Sequence, residues 1–439
     1  MSNIAKLKDL LINEHAIMIA YSGGLDSTVL LHQLVILRQQ NPLLKVRAMH
    51  INHNLYHLSD SWAIYCKQQC EYWNIPLEVR TVQVNLQHKN GVEAAARQVR
   101  YQALYQNMQA KETLLTAQHQ DDQSETFMLA LKRGSGPTGL SGMASLQLHG
   151  TRRHIRPFLN INKLALKKWA NQHKLSWIVD PSNNDKRYDR NFLRLKVMPL
   201  LNQRWPHFAR AVSRSAQLCS DQEKLLDEYL IESLHMLLDS TQSLYLIPLH
   251  VMSKARRFAL LRRWLKYHNS DMPSYDTLQH IWKQVACSRA DANPRLKIGN
   301  NEVRRFCNRL YFLPIQKSIS CYEFIWEYPW RNVTLPGGIG QIKQCLSGGV
   351  TIRCPLPDTK VCIRFQAQGM FYVYGRSGSR SIKKLWQEYK IPPWNRARIP
   401  LIFYDNSLVT ALGVFITVDG HATSDQETWN IDWLREKIL

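Results

Sequence analysis

Apolar positions in the first two hundred residues follow two alternating rhythms. Short apolar or β-branched runs at 16–21, 46–52, 77–84 and 113–117 recur at roughly 30-residue intervals, with a further run at 177–179. Between them, apolar residues return at helical spacing over 28–37, 61–73, 92–108 and 122–132. Strands alternating with helices predict an α/β fold with a doubly wound parallel sheet, in which ligands bind at the carboxyl ends of the strands. No apolar run approaches membrane-spanning length, so no membrane partner is expected.

The turn after the first run is Ser22-Gly23-Gly24-Leu25-Asp26-Ser27. Two glycines let the backbone come close to a ligand, and the first amides of the helix that follows point outward unpaired, which suits phosphate. The lysine of a Walker loop is missing, so a nucleotide bound here is held differently from that of a kinase or GTPase. On these six residues alone, an ordinary strand-to-helix turn with Ser22 or Asp26 as N-cap is an equal reading.

Three polar clusters stand at later strand ends. In His50-Ile51-Asn52-His53-Asn54-Leu55 two histidines lie three apart; with no acid or thiol nearby they suit a nucleotide contact or a polar turn better than a metal. Glu93, Arg97 and Arg100 of Gly91-Val92-Glu93-Ala94-Ala95-Ala96-Arg97-Gln98-Val99-Arg100-Tyr101 share a helix face, where two arginines can clamp a polyphosphate or form a plain Glu-to-Arg surface pair. His119-Gln120-Asp121-Asp122-Gln123-Ser124-Glu125-Thr126 sets Asp122 and Glu125 one turn apart, ready for Mg²⁺ or a cationic substrate group, or merely to complement the helix dipole. The glycine-rich stretch 132–143 reads as a lid or as a connector.

Charge narrows the partner. The chain holds 57 Lys and Arg against 34 Asp and Glu, a net +23, and residues 151–216 alone carry 15 basic residues against 3 acids. So concentrated an excess favours a polyanion, nucleic acid ahead of a membrane, since no basic helix has a clean apolar face. A length of 439 residues predicts two or three domains. Nine cysteines show no Cys-x-x-Cys spacing, so Cys66 and Cys70 are expected as buried free thiols rather than zinc ligands or disulfides. The opening residues lack a signal-like apolar core, which makes cytoplasm the expected location.

Taken together, the four motifs resemble the N-type pyrophosphatase-loop ATPases and, more narrowly, the tRNA(Ile)-lysidine synthase family. Asp180-Pro181-Ser182-Asn183 and Tyr188-Asp189-Arg190-Asn191-Phe192-Leu193-Arg194 extend the resemblance. It continues through a helical connector at 221–238, a helical segment around Arg256, Arg257 and Trp264, and the Lys383-Lys384 helix with Ile391-Pro392-Pro393-Trp394. One departure is Gly375-Arg376-Ser377-Gly378-Ser379-Arg380, where many members carry Gly-Gly-Glu-Arg. The resemblance implies a catalytic ATP-binding domain at 1–216, a helical tRNA-binding middle domain at 217–315 and a small mixed α+β tRNA-recognition domain at 316–439.

It also implies an AMP-forming carbon–nitrogen ligase using ATP and Mg²⁺. Such an enzyme adenylates the C2 carbonyl oxygen of cytidine 34 in the isoleucine tRNA with a CAU anticodon, and free L-lysine then displaces AMP at C2. Ser22, Gly23, Gly24, Leu25, Asp26, Ser27, His50 and His53 would hold the nucleotide, and Arg97 would stabilise the transferring phosphate. Asp26, Asp122 and Glu125 would receive lysine, with Mg²⁺ binding as the competing role for Asp26 and Asp122. Arg256, Arg257, Lys383 and Lys384 suit tRNA phosphates, and a homodimer is left open. The rivals are a tRNA thiolase, whose expected Cys-x-x-Cys pair is missing here, a glutamine-dependent amidotransferase, which lacks its nucleophile because residue 2 is Ser, and a non-catalytic tRNA-binding protein.

Overall fold

The first strand, β1 (Ala16–Ala20), is buried along most of its length and apolar on both faces, as a central parallel strand must be. Ile17 and Ile19 pack with Leu30, Leu34 and Leu166 on one side, and Met18 packs with Met49, Leu104 and Leu114 on the other. In the computed structural model, which describes residues 3–54, 56–85, 92–270, 272–289 and 291–435, this strand centres a six-stranded sheet. Its other strands are β2 (Lys45–Asn52), β3 (Leu77–Thr81), β4 (Thr113–Leu115), β5 (Leu146–His149) and β6 (Arg152–Ile155), in the order β3-β2-β1-β4-β6-β5. All neighbours are parallel except β5, which closes the edge as an antiparallel hairpin with β6.

Helices α1 (Asn3–Leu10), α2 (Leu25–Gln40), α3 (Ser59–Tyr72), α4 (Val92–Gln106), α5 (Gln120–Lys132), α6 (Pro137–Leu140) and α7 (Lys163–Gln172) connect or flank these strands. The expected doubly wound sheet is present. The run 177–179 is not a strand: it makes a single bridge, Ile178 to Gly24. The basic stretch conceals β6, whose sequence, Arg152 to Ile155, carries no apolar alternation.

The chain divides into two units, 1–228 and 229–439. In the second unit the helices Lys254–Tyr267 and Tyr275–His280 pack around Trp264. They share that core with a four-stranded antiparallel sheet, Leu244–Tyr245, Arg309–Pro314, Asn301–Phe306 and Arg295–Ile298. Further along lie a five-stranded and a four-stranded antiparallel sheet with a common core of Ile363, Ile402, Ile342, Ile352 and Trp429. The opposite face of the five-stranded sheet is covered by helix Ile382–Glu388 through Leu385 and Trp386. Cys66 and Cys70 are buried free thiols, as expected, and among the described residues no helix is long and apolar enough to cross a membrane.

Candidate active site

A cavity of about 470 Å³ opens where β1, β2 and β4 end, lined by the hexapeptide turn, the histidine pair, Arg97, Arg100 and Asp122. It also takes in Asp180, Ser182, Arg190 and Arg194 from the far end of the first unit. Leu55, Gly91 and the side chains of Val92 and Glu93 lie outside the described residues.

The turn is knit from within. Ser22 and Ser27 hydroxyls lie 3.0 Å apart, Ser27 Oγ accepts from Ser22 N and donates to the Gly24 carbonyl, and Thr28 Oγ1 donates to the Gly23 carbonyl. Gly23 sits at φ +76°, and a Cβ there would stand 2.6 Å from Ile178 Cδ1 and 2.9 Å from Cys66 Sγ. Only glycine fits. At Gly24 an added Cβ would meet nothing nearer than Ser22 Oγ at 3.5 Å. Gly24 caps α2 without a side chain, so the helix presents its first amides to the cavity.

His50 is buried, and burial lowers its pKa, so the ring is neutral. Its Nδ1 lies 2.9 Å from the Tyr21 carbonyl, which can only accept; Nδ1 therefore carries the proton and Nε2 is left as an acceptor. His53 is the reverse tautomer. Arg100 Nε donates to its Nε2 at 3.2 Å, burial drives its pKa down to about 4, and Nδ1–H is buried without a partner. Asn52 is turned aside to Asp60 and the backbone of Asn54. The pair therefore offers one acceptor and one donor, and no metal-ligating group of three or more His, Cys, Asp or Glu occurs among the described residues.

His119 is the N-cap of α5. Its ring lies 3.6 Å from Asp26, 3.5 Å from Asp121 and 3.4 Å from Asp122. Burial opposes the charged form, but hydrogen bonds to Asp121 and Asp26 and the field of Asp122 outweigh it and raise the pKa to about 10. A protonated ring gives up the 3.4 Å contact in which Asp122 N–H approaches Nδ1, while His119 N still donates to Asp122 Oδ2 at 3.0 Å. Asp26 Oδ1 is buried with no hydrogen-bond partner.

Asp122 and Glu125 do face one point, and two arginines occupy it. Arg190 Nε donates to Glu125 Oε2 and Arg194 Nε to Glu125 Oε1, both at 2.7 Å, while each guanidinium also reaches Asp122 Oδ1. A π-helical turn, Leu193–Val197, follows the short helix Asp189–Phe192 where this pair lies. Asn191 ties that segment to the Ser182 and Asp185 carbonyls. Arg97 makes no ion pair with any described residue; its guanidinium lies over the Tyr101 ring, 5.0 Å from the centroid. The glycine-rich stretch 132–143 folds into α6, and its end is clamped by Gln123, which accepts from Met143 N and donates to Met143 O.

A protein of Serratia proteamaculans (strain 568) named tRNA(Ile)-lysidine synthase is 51% identical to this sequence, over 96% of each chain. The chain belongs to the tRNA(Ile)-lysidine synthase family. A second tRNA(Ile)-lysidine synthase, from Edwardsiella ictaluri (strain 93-146), is 49% identical over 98% of each chain. Residues 2–201 match the ATP-using PP-loop domain, 244–311 the TilS substrate binding domain and 360–433 the TilS substrate C-terminal domain. Among solved structures, the U34-tRNA thiolase NcsA from Methanococcus maripaludis aligns with a TM-score of 0.42 at 17% identity, covering 50% of this chain and 78% of that one. All residues lining the cavity fall within the PP-loop domain of this lysidine synthase family member.

Sequence reasoning missed that Arg190 and Arg194 engage Asp122 and Glu125. Their motif was visible, but its carboxylate partners lie 65 to 72 residues away. Arg257, expected as a phosphate contact, is engaged within the fold: it donates to the Leu249, His250 and Met252 carbonyls and stacks 3.8 Å from the Trp282 centroid. Lys383 and Lys384 are exposed on their helix.

Proposed function

We propose that this protein makes lysidine: ATP adenylates the C2 carbonyl oxygen of cytidine 34 in the CAU-anticodon isoleucine tRNA, and the ε-amine of free lysine displaces AMP. The observation that carries this reading is the meeting, in one cavity, of uncapped helix amides, an arginine without an ion pair to any described carboxylate, and Asp122 with the two arginines that also bind the buried Glu125.

A carbonyl oxygen is a poor leaving group, and adenylation lets it depart as AMP. The α2 amides with Ser22 and Ser27 cradle the pyrophosphate, and without a Walker lysine the α-phosphate is the reacting centre. Arg97 stabilises charge on that phosphate. His50 Nε2 and His53 Nδ1–H give the nucleotide one acceptor and one donor. Free lysine carries both signs of charge: Arg190 and Arg194 match its carboxylate, and Asp122 and Glu125 match its ammonium groups. The attacking amine must shed a proton, which a carboxylate or a water takes.

Asp26 suits Mg²⁺, because a buried carboxylate oxygen without a partner is the donor such an ion takes. Asp122 has Oδ1 engaged by both arginines and Oδ2 by the His119 amide, so it joins only if an arginine lets go. When bound, Mg²⁺ supplies positive charge against the departing pyrophosphate. The domains 1–216, 217–315 and 316–439 divide catalysis from tRNA binding and recognition, with Arg256, Lys383 and Lys384 at tRNA phosphates, and the reaction runs in the cytoplasm.

The test is AMP release from ATP with the isoleucine tRNA, in buffer, with free lysine, or with a sulfur donor. Release that needs tRNA and rises with lysine supports the reading. Release that rises with the sulfur donor instead makes the protein a thiolase.

A further inference from the structure

Behind Arg97 lies a buried polar chain that the reaction as described does not use. His154, fully buried, is neutral: burial and the nearby Arg156 hold its pKa down to about 3. The directions of its hydrogen bonds follow from the donors available. Thr116 Oγ1 donates its single proton to Gln118 Oε1, so at 2.7 Å it accepts from His154 Nε2–H. His154 Nδ1 is then a lone pair, and it receives Tyr105 O–H at 3.0 Å and Arg156 Nη2 at 3.3 Å. At the other end Gln118 Nε2 donates to the Tyr101 hydroxyl at 3.1 Å. Every link has one donor and one acceptor, and the chain ends on the ring that carries Arg97.

Arg156 gives the chain a second role. It is buried, its Nη atoms donate to the Ala144 carbonyl and Gln147 Oε1, and its Nε has no partner. No ion pair to a described carboxylate offsets its charge, so it repels Arg97 from behind while Tyr101 holds Arg97 from beneath. Tyr101, Thr116, Gln118 and Arg97 all line the cavity.

We propose that Tyr101 is a positioning residue: its ring, fixed by the Gln118–Thr116–His154 chain, holds the Arg97 guanidinium over the reacting phosphate. This rests on the adenylation reading of Arg97. The chain thereby makes the edge hairpin of β5 and β6 part of the support for catalysis, though neither strand reaches the cavity lining.

The experiment compares Tyr101→Leu, Tyr101→Phe, Arg97→Ala and the double variant Arg97→Ala/Tyr101→Leu in the full-length protein. It reads tRNA-dependent AMP formation, the KM for ATP, tRNA affinity and the melting temperature. Loss of the ring in Tyr101→Leu is expected to lower kcat about tenfold, the order of a desolvated cation–π interaction, with KM and tRNA affinity within about twofold. Tyr101→Phe, which keeps the ring and removes the tether, should fall between the natural protein and Tyr101→Leu, and a fully wild-type rate there would remove the chain from the support. The double variant should be no slower than Arg97→Ala, because a support has nothing left to hold. Multiplied losses in the double variant, a wild-type rate in Tyr101→Leu, or a fall in rate that tracks only a fall in melting temperature overturns the proposal. An Arg97→Ala protein with wild-type kcat overturns the adenylation role of Arg97 itself, and the support role falls with it.

Discussion

Arg194 and Glu125, 69 residues apart in the chain, meet in a two-point contact: Nε donates to Oε1 at 2.7 Å and Nη2 to Oε2 at 2.9 Å. Arg190 takes the same carboxylate from its other side, so a buried acid is held between two cations that also share Asp122.

Removing one member of a buried ion pair costs about 3–5 kcal/mol when the partner is left alone. Asp122 remains beside both arginines, so Glu125→Ala should fall at or below the lower end of that range. Its specific mark is a rise of about tenfold or more in the KM for lysine, the effect of removing a charge-assisted hydrogen bond, at unchanged KM for ATP. Steady-state kinetics in each substrate check it, and an unchanged lysine dependence would remove Glu125 from the lysine site.

The two loop glycines should fail differently. Gly23→Ala meets Ile178 Cδ1 at 2.6 Å with φ at +76°, so it combines about 1–2 kcal/mol of backbone strain with about 1–3 kcal/mol of overpacking and lowers the melting temperature. Gly24→Ala, at φ −74° and ψ 166°, disturbs no neighbour. Gly24 lines the cavity, so with the nucleotide bound as proposed the added methyl would meet it, and the KM for ATP should rise while the melting temperature holds.

His154 makes the first unit sensitive to mild acid. Its folded pKa is about 3 against an ordinary 6.5, through burial first and Arg156 second. Between those values the unfolded chain takes up a proton that the folded ring refuses. Its contribution is therefore whole above 6.5 and drains away as pH falls toward 3. Thermal unfolding at about pH 7.5 and pH 5 should show a larger drop in stability for the natural protein than for His154→Gln. Equal drops would mean that the ring is protonated in the fold.

What could be read from the chain depended on how far apart the cooperating residues lie. The runs at 46–52 and 113–117 announce β2 and β4 because central parallel strands are apolar on both faces. Strand β6 does not, since its ladder is made by backbone and its side chains read as a basic patch. The antiparallel sheet around Val303 and Leu310 was hidden in the same way, because Arg304, Arg305 and Arg309 break its alternation. At the site, the hexapeptide and Asp122 with Glu125 are local patterns and stood out. The arginines that occupy those carboxylates arrive from residues 190 and 194, which no spacing rule connects to helix α5.

The basic stretch 151–216 is smaller as an RNA-facing surface than its composition suggests. Arg156, Arg190 and Arg194 are engaged inside the fold, Arg153 pairs with Glu14 and Arg187 with Asp185. Lys163, Lys167 and Lys168 remain exposed on α7. Replacing these three with Gln should weaken tRNA binding and reduce the slope of log K against log salt by about 0.7–0.9 for each phosphate no longer neutralised. An unchanged slope would place the tRNA on another face.

The central claim is that free lysine ends covalently on cytidine 34. The protein is incubated with ATP, Mg²⁺, the isoleucine tRNA and isotopically labelled lysine, and the digested tRNA is read by mass spectrometry. The account predicts one labelled lysine on the anticodon cytidine, at wild-type level with the natural protein and sharply reduced with Arg97→Ala. An unlabelled cytidine 34, or the same yield from Arg97→Ala, would contradict it.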